Sequence, residues 1–398
     1  MGSIVNLPRG DSPTLQLVHP TEEEKLIQFN LNGAEWRGAL SIPAYLRRED
    51  VLSKQALTQD GGISYWILVD TSLKGNPLDP SSSGARLPLA SCETYRKKAL
   101  VWNDGKVQET ICHGIGSVFC ASHLRGRGYA QRMMRELGKA LRTYQTGDGV
   151  ECLFSVLYSD IGKKFYNTFG WEPFNSSHIA IPGVPKVIDG LPAVRPLYAE
   201  DLAELCAFDV ASLRQTLERR PKGSKAAVAL LPDIDTIRWH HAREEYVGTE
   251  LRGDTPKVKG AIVGLEKGKR VWCIWTRMWS AERKDNTFHL LRLVVEDGGW
   301  EDTATSHPDG QSEDHSHDAA IAAIMMFAQR EAQDWGMAQV QIWNPSSVTV
   351  RAAQRLDPKA RVIDRDEESI ASLQWFPEHD GPIADKIDWI ANEKYGWC

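Results

Sequence analysis

The chain has 398 residues, a formal charge of −6, 42% apolar and 25% charged residues. That length suits two domains of a soluble globular enzyme. The acidic balance excludes a global attraction to nucleic acid or to an anionic membrane, and neither is an expected partner. Seven cysteines, an odd number with no CxxC pair, point to reduced thiols and neither a disulfide framework nor a zinc site. No apolar run approaches a membrane span and no leader-like segment opens the chain, so a cytoplasmic location is expected. Fourteen tryptophans suit either core packing or an amphipathic ligand pocket.

Met1 to Pro13 is polar and Gly/Pro-bearing and reads as loose. A short strand follows at Leu15–Val18, then Thr21-Glu22-Glu23-Glu24, a capping box opening a helix. Tyr65–Val69 reads as a strand, and Gly75 to Gly84 as a loop. From Ser91 to Ala121 the pattern is extended and broken at Asn103-Asp104-Gly105-Lys106, a hairpin turn. Gly114 and Gly116 in its second arm suggest a bulge or a close backbone approach. A helix is expected over 128–142, a buried strand over Cys152–Tyr158, and a short helix over Gly162–Phe169.

Three prolines and two glycines between Ile181 and Pro192 mark a linker. The expected division is 14–180, a linker at 181–193, and a second lobe at 194–398. That lobe repeats the order of the first: Val194-Arg195-Pro196 with a helix after Glu200-Asp201, a hairpin from Lys257 to Trp275, a strand at His289–Glu296, a helix at Ala319–Trp335 and a strand at Gln339–Trp343. It reads as a degenerate duplication. The acidic stretch Asp297 to Asp318, with His307, His315 and His317, reads as a solvated loop, and no metal is expected.

The informative stretch is Ser117-Val118-Phe119-Cys120-Ala121-Ser122-His123-Leu124-Arg125-Gly126-Arg127-Gly128-Tyr129-Ala130. An apolar strand enters a Gly-rich loop that opens onto an amphipathic helix. Gly126 and Gly128 let backbone approach an anion, the helix start supplies unpaired N–H groups, and Arg125 and Arg127 add charge for a pyrophosphate. Neither a GxGxxG nor a Gly-Lys-Ser/Thr run is present. The spacing Arg-x-x-Gly-x-Ala at a strand-to-helix junction resembles the acetyl-CoA loop of the GNAT superfamily of N-acetyltransferases. Lys163-Lys164-Phe165-Tyr166-Asn167-Thr168-Phe169-Gly170-Trp171 resembles that superfamily's segment whose Tyr protonates the leaving thiolate. Beyond this, Ser91-Cys92-Glu93-Thr94, the approach His113–Phe119, and Trp239-His240-His241-Ala242-Arg243-Glu244-Glu245 are similar to the fungal lysine N6-acetyltransferase family.

The resemblance implies an α/β (α+β) GNAT fold with a mixed central sheet and a second GNAT-like lobe lacking the CoA motif. It implies acetyl-CoA as co-substrate and a small-molecule amine, L-lysine, as acceptor. Val118, Phe119, Cys120, Arg125, Gly126, Arg127, Gly128, Tyr129, Ala130 and Lys163 are the expected cofactor-binding residues, with backbone N–H groups near Phe119 and Cys120 facing the thioester carbonyl. Tyr166 is the expected acid. His113 and Glu109 lead as candidate bases, with Glu93 third. Trp239, Arg243 and Glu244 are the candidate acceptor contacts. An acceptor other than lysine, or an acyl-CoA sensor without turnover, is also compatible with these motifs.

Overall fold

The computed structural model describes residues 7–79, 84–147, 149–298 and 317–397. The first half holds β1 (Leu15–Val18), α1 (Glu22–Trp36), α2 (Ile42–Ser53), β2 (Ile63–Asp70), β3 (Ala90–Asn103), β4 (Lys106–Phe119), α3 (Tyr129–Ala140), β5 (Cys152–Ser159), α4 (Lys164–Asn167), β6 (Glu172–Pro173) and β7 (Ser177–Pro182). The second holds β8 (Arg195–Leu197), α5 (Leu202–Glu218), β9 (Ala226–Leu230), α6 (Ile234–Arg252), β10 (Gly260–Val263), β11 (Val271–Met278) and β12 (Thr287–Val295). It continues with α7 (Asp318–Asp334), β13 (Gln339–Trp343), α8 (Ser347–Leu356), β14 (Val362–Asp364), β15 (Ile370–Trp375) and β16 (Ile387–Trp389).

Local chemistry sets several boundaries. The Thr21 hydroxyl accepts the Glu24 N–H while the Glu24 carboxylate accepts the Thr21 N–H, so α1 starts on the expected capping box. At the β3–β4 hairpin, Asp104 and Gly105 take φ of +47° and +84°, as a tight twisted turn requires. Asp233 caps α6 and Gly253, at φ +70°, ends it. α2, capped by Ser41 with Pro43 in its first turn, adds a helix beyond the sequence-based expectations.

Two mixed sheets result. One runs β1-β2-β3-β4-β5-β15-β6, with β9 paired to β3 and β16 to β9; the other runs β8-β10-β11-β12-β13-β7-β14. In each, two strands at matching places are parallel, β4 with β5 and β12 with β13. The orders superpose strand for strand, which supports the duplication read from the sequence.

Strand pairing crosses the expected division at 181–193. β7 lies between β13 and β14 of the second sheet, and β15 lies between β5 and β6 of the first, so each half lends a strand to the other. β9 and β16 also join the first sheet. Periodicity reports that a segment is a strand but carries no information on its partner. Residues 7–13 differ from expectation too: they pack on the start of α3. His307 and His315 lie outside the described residues.

Four tryptophans, Trp102, Trp171, Trp272 and Trp275, are fully buried in the cores. Trp36, Trp239, Trp279, Trp343 and Trp397 instead line a cleft. Both readings of the tryptophan count apply, to different indoles.

Candidate active site

A cleft of about 2090 Å³ lies where the two sheets meet, lined from both. Its origin is a splay. β4 and β5 are paired only from Ile111–Cys152 to Ile115–Leu157, and β4 then continues to Phe119 without β5. At that point β4 bulges against β3: Glu93 faces Gly116 and Ser91 faces Phe119, so two residues of β4 oppose Cys92 alone. Ser117 takes φ +50°, a conformation costly for a non-glycine residue and typical of functional sites. Ile115 to Cys120 line the cleft.

Beyond the bulge, Gly126 and Gly128 take φ of +77° and +86°, which only glycine adopts without strain, and Gly128 is the N-cap of α3. α3 is held by Tyr129, Met133, Met134 and Leu137 packed against Ile115, Leu157 and Trp171. The cleft is lined by Val118, Phe119, Cys120, Arg125, Gly126, Gly128, Tyr129 and Ala130. Arg125 folds back so that its Nε donates to the Cys120 carbonyl at 2.9 Å, with the guanidinium exposed beside the Phe119 ring. Two expected cofactor residues stand elsewhere. Arg127 donates to the Leu7 carbonyl at 3.1 Å, and Lys163 is paired with Asp366 at 2.6 Å; neither lines the cleft. In both, a nearby protein acceptor satisfies the cation.

Tyr166 lines the cleft from α4, buried beside Phe165. Burial pushes its hydroxyl up from its ordinary value, helped by the Asp160 carboxylate, so it stays protonated and able to donate.

The candidate bases separate sharply. Glu109 lies near the hairpin end of β4, exposed and ion-paired with Arg214 of α5, and does not line the cleft. His113 is fully buried, its Nε2 3.1 Å from the Tyr144 carbonyl and its ring near Tyr144. Burial pulls it down to about 4, so it is neutral, and it too stands away from the cleft. Position along β4 explains both: Glu109 stands at the hairpin end against Arg214, and Tyr144 covers His113, whereas Ile115 further along the same face reaches the cleft.

Of the three candidate bases, Glu93 is the one that lines the cleft. Tyr95 and Ser117 hydroxyls donate to its Oε2, each at 3.1 Å, and its buried Oε1 has no partner among the described residues. Burial raises it to about 8, the Glu49 carboxylate adding to the effect and the Ser117 and Tyr95 hydrogen bonds opposing it. A carboxylate poised near neutrality is suited to proton abstraction.

On α6, Trp239 and Arg243 stand one turn apart and both line the cleft. Trp239 is set edge-on to Tyr95 at 5.5 Å. Arg243 lies 5.6 Å from the Trp397 ring, and no hydrogen bond or ion pair to it is found among the described residues. Burial drops it to about 9, the nearby Arg48 guanidinium adding to the effect. Such a cation favours an incoming anion. Glu244 points the other way, into a buried network with Lys259 (2.8 Å) and Arg277 (3.0 Å), and is structural. α6 is thus no exposed face.

Sequence reasoning passed over Trp343, Lys394 and Trp397, which line the second-lobe wall, the Lys394 ammonium 4.3 Å from the Trp343 ring and 4.0 Å from that of Trp397. Their signal lay in tryptophans outside any apolar periodicity. Among the described residues no cluster of His, Cys, Asp or Glu is arranged to hold a metal, and no helix is long and apolar enough to cross a membrane.

The family model described as "LYC1 GNAT-like C-terminal domain" matches residues 178–398. The chain belongs to this family. A lysine acetyltransferase of Yarrowia lipolytica is 26% identical over 286 residues, covering 62% of this chain and 68% of its own. The Saccharomyces cerevisiae protein YGR111W is 23% identical over 92% of this chain and 93% of its own. Among solved structures, a GCN5-related N-acetyltransferase of Anabaena variabilis superposes with TM-score 0.50 at 14% identity, covering 90% of this chain and 72% of that one. An N-myristoyltransferase of Saccharomyces cerevisiae with bound myristoyl-CoA gives 0.52 at 9% identity, covering 93% and 82%. These two share the fold. The chain is an acyltransferase of the GNAT type, with two GNAT-like lobes.

Proposed function

We propose that this enzyme moves an acetyl group from acetyl-CoA to the side-chain amine of free L-lysine by direct attack in a ternary complex. We place the reaction in the cytoplasm, at the opening of lysine degradation. The observation that carries the reading is the Glu93 carboxylate, buried beside the bulge of β4 and facing a cleft that holds the Arg243 guanidinium, which has no ion-pair partner among the described residues.

An amine with a reference pKa near 10.4 arrives as an ammonium and must lose a proton to become a nucleophile. Glu93 accepts that proton. The amine nitrogen then bonds to the thioester carbon and sheds its second proton to solvent, the carbon–sulfur bond breaks, and Tyr166 gives its proton to the departing thiolate and is reprotonated from solvent. The loop from Arg125 to Ala130 holds the pyrophosphate, and backbone N–H groups at the bulge stabilise the oxyanion. Trp239 flanks the aliphatic chain and Arg243 receives the α-carboxylate.

A second reading, a polyamine or a peptide lysine as acceptor, is favoured by the acidic residues Asp364, Asp366, Glu367 and Glu368 along the cleft. Thiol release with L-lysine, cadaverine and an internal-lysine peptide separates the two. Lysine should exceed cadaverine in kcat/KM by roughly 10²-fold, because cadaverine leaves a buried cation unpaired, and the peptide should be inert. Arg243→Leu should erase the lysine advantage. Equal values for lysine and cadaverine in the unaltered enzyme would remove the free-lysine reading and leave the acyltransferase standing.

A further inference from the structure

The loop that would hold the pyrophosphate does not set its own geometry. Residues 7–15 run along its back and along the first turns of α3, tied by hydrogen bonds from Arg127, Tyr129 and Arg132. Arg127 donates to the Leu7 carbonyl at 3.1 Å and the Tyr129 hydroxyl to the Pro8 carbonyl at 2.5 Å. Arg132 donates to the carbonyls of Ser12 (3.0 Å), Leu15 (3.1 Å) and Gly10 (3.4 Å). In return the Gly10 N–H donates to the Arg127 carbonyl at 2.7 Å.

That last bond has a stereochemical consequence. In a trans peptide the carbonyl and the following N–H point to opposite sides of the chain. With the Arg127 carbonyl fixed on Gly10, the Gly128 N–H of the same peptide plane is turned away from the segment, toward the cleft that Gly128 lines. The approach also needs glycine at position 10, where a Cβ would run into the Gly128 carbonyl, while Gly128 is held to glycine by its φ of +86°.

We infer that the segment 7–15 is a positioning element for the acyl donor, with Gly10 and Arg132 aiming the Gly128 N–H at the donor's pyrophosphate. This rests on the reading of the Arg125–Ala130 loop as the pyrophosphate site. An anion site of backbone N–H groups depends on alignment, and a displacement of about 1 Å at such a site can cost as much as 10²-fold.

Two donors separate positioning from general scaffolding. Acetyl-CoA carries the pyrophosphate; acetylpantetheine carries the same thioester without it. Gly10→Val should raise KM for acetyl-CoA by about tenfold or more, while KM for acetylpantetheine, KM for lysine and the melting temperature of the free enzyme stay nearly unchanged. Arg132→Leu should act in the same direction, and Arg132→Lys should restore part of the loss. Because Arg132 lies outside the cleft, it keeps the test valid should Gly10→Val fail to fold. Equal losses with both donors, or no change with either, would overturn the inference. An unaltered enzyme that shows no preference for acetyl-CoA over acetylpantetheine would instead overturn the pyrophosphate reading beneath it.

Discussion

The two lobes are built on one plan, and the ends of their parallel strand pairs show why only one is read as a catalytic site. β4 bulges where it outruns β5, and β12 bulges at Leu291, between Leu290 opposite Trp275 and Arg292 opposite Ile274. In the first lobe the bulge faces the cleft and Glu93 beside it keeps an unpartnered oxygen. In the second, the protein's own Glu393 fills the place: its carboxylate accepts the Leu293 N–H at 3.1 Å and pairs with Arg292, which Asp209 also holds at 2.8 Å. The helix starts differ likewise. α3 opens with glycines beside the cleft, whereas α7 opens with Asp318, whose carboxylate is clasped by Arg351 at 3.0 Å. A carboxylate at a helix start supplies the anion a ligand would otherwise bring. The second lobe has spent its binding features on itself, and they became stability.

Paired substitutions test that contrast, and the largest effect is expected at the helix starts. Gly128→Glu should abolish measurable acetyl-CoA binding by calorimetry, because a carboxylate enters the anion position. Asp318→Asn, at the matching place, should leave acetyl-CoA affinity unchanged. Loss of affinity in the second variant would mean that the lobes share the donor.

Next come the two carboxylates at the bulges. Glu93→Gln should lower kcat by roughly 10²- to 10³-fold, and Tyr166→Phe by roughly 10²-fold, both with acetyl-CoA affinity retained. Glu393→Gln should do the reverse: a lower melting temperature, from a weakened buried partner of Arg292, with kcat within a few-fold of the unaltered enzyme. If Glu93→Gln kept full turnover, proton abstraction would belong elsewhere.

The smallest effect is a displacement along the pH axis. Glu93 works ionised, so kcat/KM should rise with pH through a limb near 8, where burial and Glu49 have placed that carboxyl. Glu49→Gln removes one of the two raising influences, so the limb should move to lower pH and activity at neutral pH should increase. A limb that stays in place would separate it from Glu93.

How much of this was readable in the chain depends on the range of the information. The capping box at Thr21 and the hairpin at Asp104-Gly105 are local signals that stand where their residues point, and the loop from Arg125 to Ala130 borders the cleft except at Arg127. Tyr166 follows from the same kind of spacing. The base does not: His113 and Glu109 share the strand that borders the cleft, yet Tyr144 covers the first and the second sits at the hairpin end against Arg214. Glu93 becomes the better candidate only once its pairing with Gly116 places it beside the bulge. Arg243 and Glu244 are adjacent in sequence and separated in role by the 100° that one helical residue turns, which sends one to the cleft and the other to Lys259.

The insertion of β15 between β5 and β6, and of β7 between β13 and β14, bears on how the chain comes to be folded at all. A ribosome delivers β5 some two hundred residues before the strand that must lie beside it. Until then the first sheet has an open edge at the very strand that flanks the cleft, and an exposed edge is a liability for aggregation. Such distant pairings close late and slowly, so the site is assembled last, when both halves are present. The same interleaving denies the finished enzyme a simple hinge between its lobes. The walls of the cleft are woven together before the first substrate arrives.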